Sequence, residues 1–165
     1  MFNLKEVRNN LNITQQDVSD ILDIPLRTIE SWEANKRTPS RWVQNLVLDK
    51  ILSYDIGPLG IITETKGIYY FDQIVDKIMQ VLYKYEIIKI IIFGSYSRNE
   101  ATPISDIDIL IDTNISGIDF FGLYDDIKNK FVKKVDLIRL KDVKQNTKFF
   151  DSIIKEGIVI YEQKS

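Results

Sequence analysis

Two aspartates stand two residues apart in the run Ser105-Asp106-Ile107-Asp108-Ile109-Leu110-Ile111-Asp112. In an extended strand such residues point the same way. Asp106 and Asp108 therefore project together, while Ile107, Ile109 and Ile111 face the other side and pack. Adjacent carboxylates repel, and a hard divalent cation with its preference for oxygen relieves that repulsion. Upstream, Phe93-Gly94-Ser95 ends an apolar run and opens a short polar one. A Gly-Ser turn leading into a helix offers backbone N–H groups and a hydroxyl to a phosphate. Arg98, one turn further, can add charge-assisted bonds to the same group. A third acid, Asp136, lies alone in Val135-Asp136-Leu137-Ile138 and reads as buried. A buried aspartate is costly without a partner, and a cation shared with Asp106 and Asp108 would supply one. Taken singly, the i, i+2 aspartates could be solvent-facing residues of an edge strand. Their succession with the Gly-Ser turn, Arg98 and Asp136 favours a site for phosphoryl chemistry.

Composition narrows the chemistry further. The 165 residues include no histidine and no cysteine. That excludes an imidazole base, a Ser-His-Asp triad, thiolate nucleophiles and His- or Cys-ligated zinc. Any metal must be held by oxygen, as Mg²⁺, Mn²⁺ or Ca²⁺ are. The net charge of −2 does not advertise nucleic-acid binding. The longest apolar run, around residues 87–93, is broken by Lys89 and is far shorter than the ~18 residues of a membrane span. The opening residues lack an apolar signal core, and the expectation is a cytoplasmic protein with no membrane partner.

The elements that must position these residues fall into two sets. Residues 1–53 read as all helix. Leu4, Val7 and Leu11 share a face in a first helix from Phe2. Thr14 is suited to cap a second helix, with Asp17 three residues on. Asp23-Ile24-Pro25 makes a tight break before a third helix over 26–33. Ser40 precedes a fourth over 42–52. Residues 54–68, with Gly57, Pro58, Gly60 and Gly67, read as a linker holding at most a short strand. From residue 69 helices and strands alternate. Helices are expected over 71–85, 95–101, 118–131 and 143–155, and strands over 87–93, 106–112, 135–140 and 158–161. The alternation predicts an α/β (α+β) domain, 69–165, with a small mixed sheet flanked by helices. Lys128, Lys130, Lys133 and Lys134 read as a solvated basic face. Phe120-Phe121 reads as core or interface.

The run Gly94-Ser95-Tyr96-Ser97-Arg98-Asn99-Glu100-Ala101, followed by Ser105-Asp106-Ile107-Asp108, resembles the signature of the polymerase-β-like nucleotidyltransferases. Its form is similar to the smallest branch, the minimal nucleotidyltransferases (MNT). The resemblance covers roughly residues 69–161. It implies that Gly94, Ser95 and Arg98 serve the triphosphate of ATP. It also implies that Asp106, Asp108 and Asp136 are catalytic and bind Mg²⁺, with Asp136 activating the acceptor hydroxyl. Asn99 stands where many members have glycine, and asparagine tolerates the left-handed conformation such a turn needs.

The N-terminal pattern, Thr14-Gln15-Gln16-Asp17 through Ile29-x-x-Trp32-Glu33-x-x-Lys36-Arg37-x-Pro39, resembles the lambda-repressor-like (Xre/Cro) helix-turn-helix family. That likeness implies that Gln15, Arg27, Thr28 and Ser31 face the major groove while Lys36 and Arg37 meet phosphates. Two departures are Asp23, where glycine is frequent, and Pro25-Leu26, where Ser-Arg is frequent.

Together the two likenesses imply an antitoxin of the HEPN/MNT type. Such a protein transfers AMP from ATP to a hydroxyl, that of a tyrosine in this family, on a partner HEPN-type toxin. Its helix-turn-helix would bind operator DNA for autoregulation, and a homodimer is compatible with this. HEPN ribonucleases need a histidine, so the toxin must be another chain. Two alternatives remain from sequence. One is a repressor whose nucleotidyltransferase domain only binds nucleotide or partner. The other is a transferase acting on tRNA or a small molecule, although the latter would need an acceptor domain for which little chain is left.

Overall fold

In the computed structural model, which describes residues 3–163, the chain divides into two compact units, Met1–Gly67 and Ile68–Ser165. Phe2, at which the sequence starts the first helix, lies outside the described residues.

The first unit has four helices: α1 (Leu4–Asn10), α2 (Gln15–Leu22), α3 (Leu26–Glu33) and α4 (Arg41–Leu52). Local chemistry accounts for their ends. Thr14 and Asp17 form a reciprocal capping box at the start of α2. Asp23 ends α2 in the left-handed conformation, φ 53°, so an aspartate fills a position where glycine is the easier choice. Pro25 is the N-cap of α3, which starts at Leu26 as the break at Asp23-Ile24-Pro25 predicts. Leu4, Ile13, Val18, Ile21, Ile29, Val47 and Ile51 form one core, with Trp32 packed against it. The Arg8 guanidinium adds a polar pin. It donates to both carboxylate oxygens of Glu33, at 2.8 and 3.1 Å, and to the Ile13 carbonyl. The Glu33 side chain is 3% exposed. Burial pushes its carboxyl pKa up, but bonds from Arg8 and Gln15 outweigh that and hold it below the usual range.

Residues 54–68, expected as a linker, instead carry a two-stranded hairpin, β1 (Ile56–Gly57) and β2 (Gly60–Ile61). Ile56 and Ile61 pack against the helical core. The Gly-Pro-Leu-Gly sequence thus serves as the turn of a hairpin that belongs to the first unit.

The second unit is a four-stranded sheet with helices. Its elements are α5 (Phe71–Leu82), β3 (Lys89–Phe93), α6 (Gly94–Ser97), β4 (Ile107–Asp112), α7 (Ile118–Lys128), β5 (Val135–Arg139), α8 (Lys148–Glu156) and β6 (Ile158–Glu162). The strand order is β5-β4-β3-β6. β3 runs antiparallel to both neighbours, and β4 and β5 are parallel, so the sheet is mixed. β3 is interior, which suits its unbroken Ile-Ile-Ile-Phe run. On one face Ile91, Phe93, Leu110 and Ile153 form a core with Ile138 packed on it. The alternate residues Ile90, Ile92, Ile107, Ile109 and Ile111 are fully buried on the other face. Buried Ile74, Ile78, Leu123 and Ile127 come from α5 and α7, which pack on each other. No helix among the described residues is long and apolar enough to cross a membrane.

Candidate active site

Strand register sets the site. Phe93 pairs with Asp108, and Asp108 pairs with Asp136. The end of β3, with its Gly94 turn, thus lies on one side of Asp108 and Asp136 on the other. Gly94 has φ +73°, and a Cβ there would run into the Asp108 carboxylate. The absent side chain is what allows Asp108 to lie over the Gly94 turn. Asn99 adopts φ 57°, so the left-handed turn expected of it forms. Ser95 stands in the first turn of α6 and is partly exposed.

The three acids share one electrostatic environment. Burial, then the charges of Asp136 and Asp106, push the Asp108 carboxyl pKa up. Asp106 and Asp136 are bridged by Lys134. Its Nζ lies 3.0 Å from Asp106 Oδ2 and 2.9 Å from Asp136 Oδ1. These bonds raise the Lys134 pKa strongly. Lys133, beside it, is 3% exposed. It donates to the Pro103 carbonyl, and burial lowers its pKa. The expectation of a solvated basic run therefore fails for Lys133, whereas Lys134 is exposed as expected but is paired with two acids. One fastens the segment before Asp106, and the other is the counter-charge between two acids. The signal in the sequence was their place next to Asp136 at the start of β5.

Asp136 itself differs from expectation. Its side chain is 43% exposed, because β5 is the outer strand of the sheet. Its partner is Lys134, and the half-buried acid is Asp108. Arg98 donates to Glu100 at 2.8 Å and Glu156 at 3.3 Å, and its charge reaches Asp108.

Among the described residues no group of three or more carboxylates is set to hold a metal ion as the side chains stand. The donor set nonetheless fits a hard cation. All its donors are carboxylate oxygens, the charges of the other two add to burial in pushing the Asp108 carboxyl pKa up, and an ammonium already occupies the gap between Asp106 and Asp136.

In the first unit, Arg27, Thr28, Ser31, Lys36 and Arg37 line one open groove of ≈ 650 Å³ along α3. Gln15 is not among them. Its amide donates to the buried Glu33 at 2.8 Å, which satisfies that carboxylate and holds the glutamine side chain back.

The profile described as "Polymerase beta, Nucleotidyltransferase" matches residues 76–165. The chain belongs to this nucleotidyltransferase family. A second profile, described as "Helix-turn-helix", matches residues 4–41, and the N-terminal unit is a helix-turn-helix of that type. Two relatives are candidate protein adenylyltransferases of Methanocaldococcus jannaschii. One is 49% identical over 57 residues, 33% of this chain and 58% of the relative. Another is 33% identical over 89 residues, 53% of this chain and 94% of the relative. The chain thus spans little more than half the length of the first of them. Similar solved structures include a toxin–antitoxin with AMP-PNP, at TM-score 0.47 and 23% identity over 55% of this chain and 74% of that one. Another is a tri-AMPylated Shewanella oneidensis HEPN toxin in complex with MNT antitoxin, at TM-score 0.43 and 22% identity over 56% and 72%.

The crowded acids of this nucleotidyltransferase should make it less stable than a neutral counterpart. A carboxyl whose folded pKa is raised favours folding below its ordinary pKa, and that contribution is lost as pH rises through the raised value. Asp108→Asn should therefore melt at a higher temperature than wild type at pH 7. The gap should narrow as pH falls through the raised value and close below about 3, where Asp108 is protonated in both states. Thermal scans across pH check this. An equal or lower melting temperature at pH 7 would contradict the crowding.

Proposed function

We propose that this chain transfers AMP from ATP to a hydroxyl, that of a tyrosine, on a partner HEPN-type toxin. We further propose that its helix-turn-helix binds operator DNA and regulates its own expression. The observation that carries the first proposal is the convergence of Asp106, Asp108 and Asp136 beside the Gly94 turn. It occurs in a chain that aligns with 94% of a candidate protein adenylyltransferase. The HEPN-type partner and the tyrosine rest on the motif's likeness to minimal nucleotidyltransferases.

The proposed roles follow from position. Gly94 and Ser95 receive the triphosphate, and Arg98 contributes charge once it exchanges Glu100 and Glu156 for phosphate oxygens. Mg²⁺ held by Asp106, Asp108 and Asp136 would neutralise phosphate charge and lower the pKa of the acceptor hydroxyl. In the transfer the acceptor oxygen bonds the α-phosphorus, and the bond from that phosphorus to the bridging oxygen breaks. Pyrophosphate leaves with the electron pair. The hydroxyl proton passes to an oxygen of Asp136, which has no histidine to compete with it. Lys134 must give up its bridge for a cation to take its place between Asp106 and Asp136.

Mixing the protein, ATP, Mg²⁺ and the product of the neighbouring gene should add one or more adenylyl groups to that product, read by intact mass. Asp108→Ala should abolish the adduct. An unmodified partner beside labelled RNA or a labelled small molecule would contradict the protein-acceptor reading.

The cationic groove along α3 supports DNA binding. Arg27→Ala should relax base preference, at about 1–3 kcal/mol for a lost bidentate contact. Lys36→Ala should weaken binding to all sequences alike and lower the salt slope by about one. Titrations on the chain's own promoter check both. Wild type without sequence preference there would overturn the operator role.

A further inference from the structure

One acid stands among the cations of the α3 groove. Arg27, Lys36 and Arg37 line that groove, and so does Glu30. Glu30 is exposed, and among the described residues its carboxylate has no hydrogen bond and no ion pair. Other acids of the unit are committed. Glu33 accepts from Arg8 and Gln15, Asp17 from Thr14 and Asp20 from Gln16. Arg27 precedes Glu30 by three residues and shares its face of α3, yet the two do not pair. Nothing in the fold accounts for the acid. It sits in the last turn of α3, where the helix dipole disfavours negative charge. A groove that only attracted phosphate would be better without it, because its charge opposes those of Arg27, Lys36 and Arg37.

The chemistry of base edges gives a carboxylate a use there. In the major groove guanine offers O6 and N7 and thymine offers O4, all acceptors that repel an acid. Adenine offers an amino donor with the N7 acceptor beside it. Cytosine offers an amino donor, N4, with no acceptor beside it on the same base. Arg27 and Glu30 are about 4.5 Å apart along the helix axis, against about 3.4 Å between base pairs, so the two side chains fall within about two base pairs of each other. We propose that Glu30 reads a cytosine: its carboxylate accepts a hydrogen bond from N4 and turns away guanine and thymine at that position. This rests on the DNA-binding reading above. Glu30 is then a specificity residue that works by rejection as much as by attraction. On a wrong sequence it is a negative charge held among phosphates without a donor, and on the right one it is paired.

The test uses the full chain and a library of randomised DNA duplexes, with the bound duplexes sequenced after selection. Wild type should enrich sites that carry a fixed cytosine. Glu30→Ala should reduce the preference for that base by about 5- to 150-fold, the worth of one mismatched base pair, and keep the preferences elsewhere in the site. It should also bind unselected duplexes more tightly than wild type, since a repelled charge is gone. Glu30→Gln should exchange cytosine for adenine, because a glutamine amide matches the N6 donor and N7 acceptor of adenine. A residue that only shaped α3 would not move the base preference at one position. Variants that select the same sites as wild type, or that lose affinity for every duplex alike, would overturn the role of Glu30 and leave the operator reading intact. A wild-type chain that enriches no sequence would overturn both.

Discussion

Lys134 reaches between Asp106 and Asp136, 3.0 and 2.9 Å from their oxygens, and the rest of the site depends on the charge problem it answers. Parallel pairing of β4 and β5 sets Asp108 opposite Asp136, and Asp106 immediately precedes β4. Three acids so placed raise the free energy of the folded chain unless a positive charge stands among them. The ammonium supplies that charge on the open side, where two acids are well exposed. It leaves Asp108, half-buried behind, with its pKa pushed up. A surface ion pair alone contributes little stability. Its importance here is that it marks where the protein requires positive charge.

The same constraint explains the surrounding details. Gly94 has no side chain because the Asp108 carboxylate occupies the space a Cβ would take. Asn99 bends left-handed so that the chain turns back after α6, where the Glu100 amide donates to the Ser95 carbonyl. Lys133 is buried at some cost to hold the Pro103 carbonyl, which fixes the approach to Asp106. In the first unit the arrangement is reversed. There a buried carboxylate, Glu33, collects Arg8 and Gln15 and fixes the helices, while Arg27, Lys36 and Arg37 are left to solvent along the α3 groove.

Much of this was legible in the sequence, for local reasons. Thr14 with Asp17, and the break at Asp23-Ile24-Pro25, mark helix ends by their own hydrogen bonding and dihedral preferences. Ile107, Ile109 and Ile111 declare a buried face by period alone. What was hidden depends on strand order, which is non-local. Val135-Asp136-Leu137-Ile138 reads as an interior strand because three of its residues are apolar. β5 lies at the edge, so Asp136 is exposed. The lysines at 133 and 134 look alike in sequence, yet one is 3% exposed and the other carries a 63% exposed side chain. Gly57-Pro58-Leu59-Gly60 carries turn residues in either a linker or a hairpin, and only Ile56 and Ile61 meeting the helical core distinguish the two.

The central claim is that the Asp106–Asp108–Asp136 cluster is a cation-dependent nucleotide site. Calorimetric titration of the full chain with ATP, in Mg²⁺ and in chelator, tests it most directly. The account predicts clearly tighter ATP binding with Mg²⁺, and loss of that difference in Asp108→Ala. Equal binding in both conditions, or no binding in either, would contradict it.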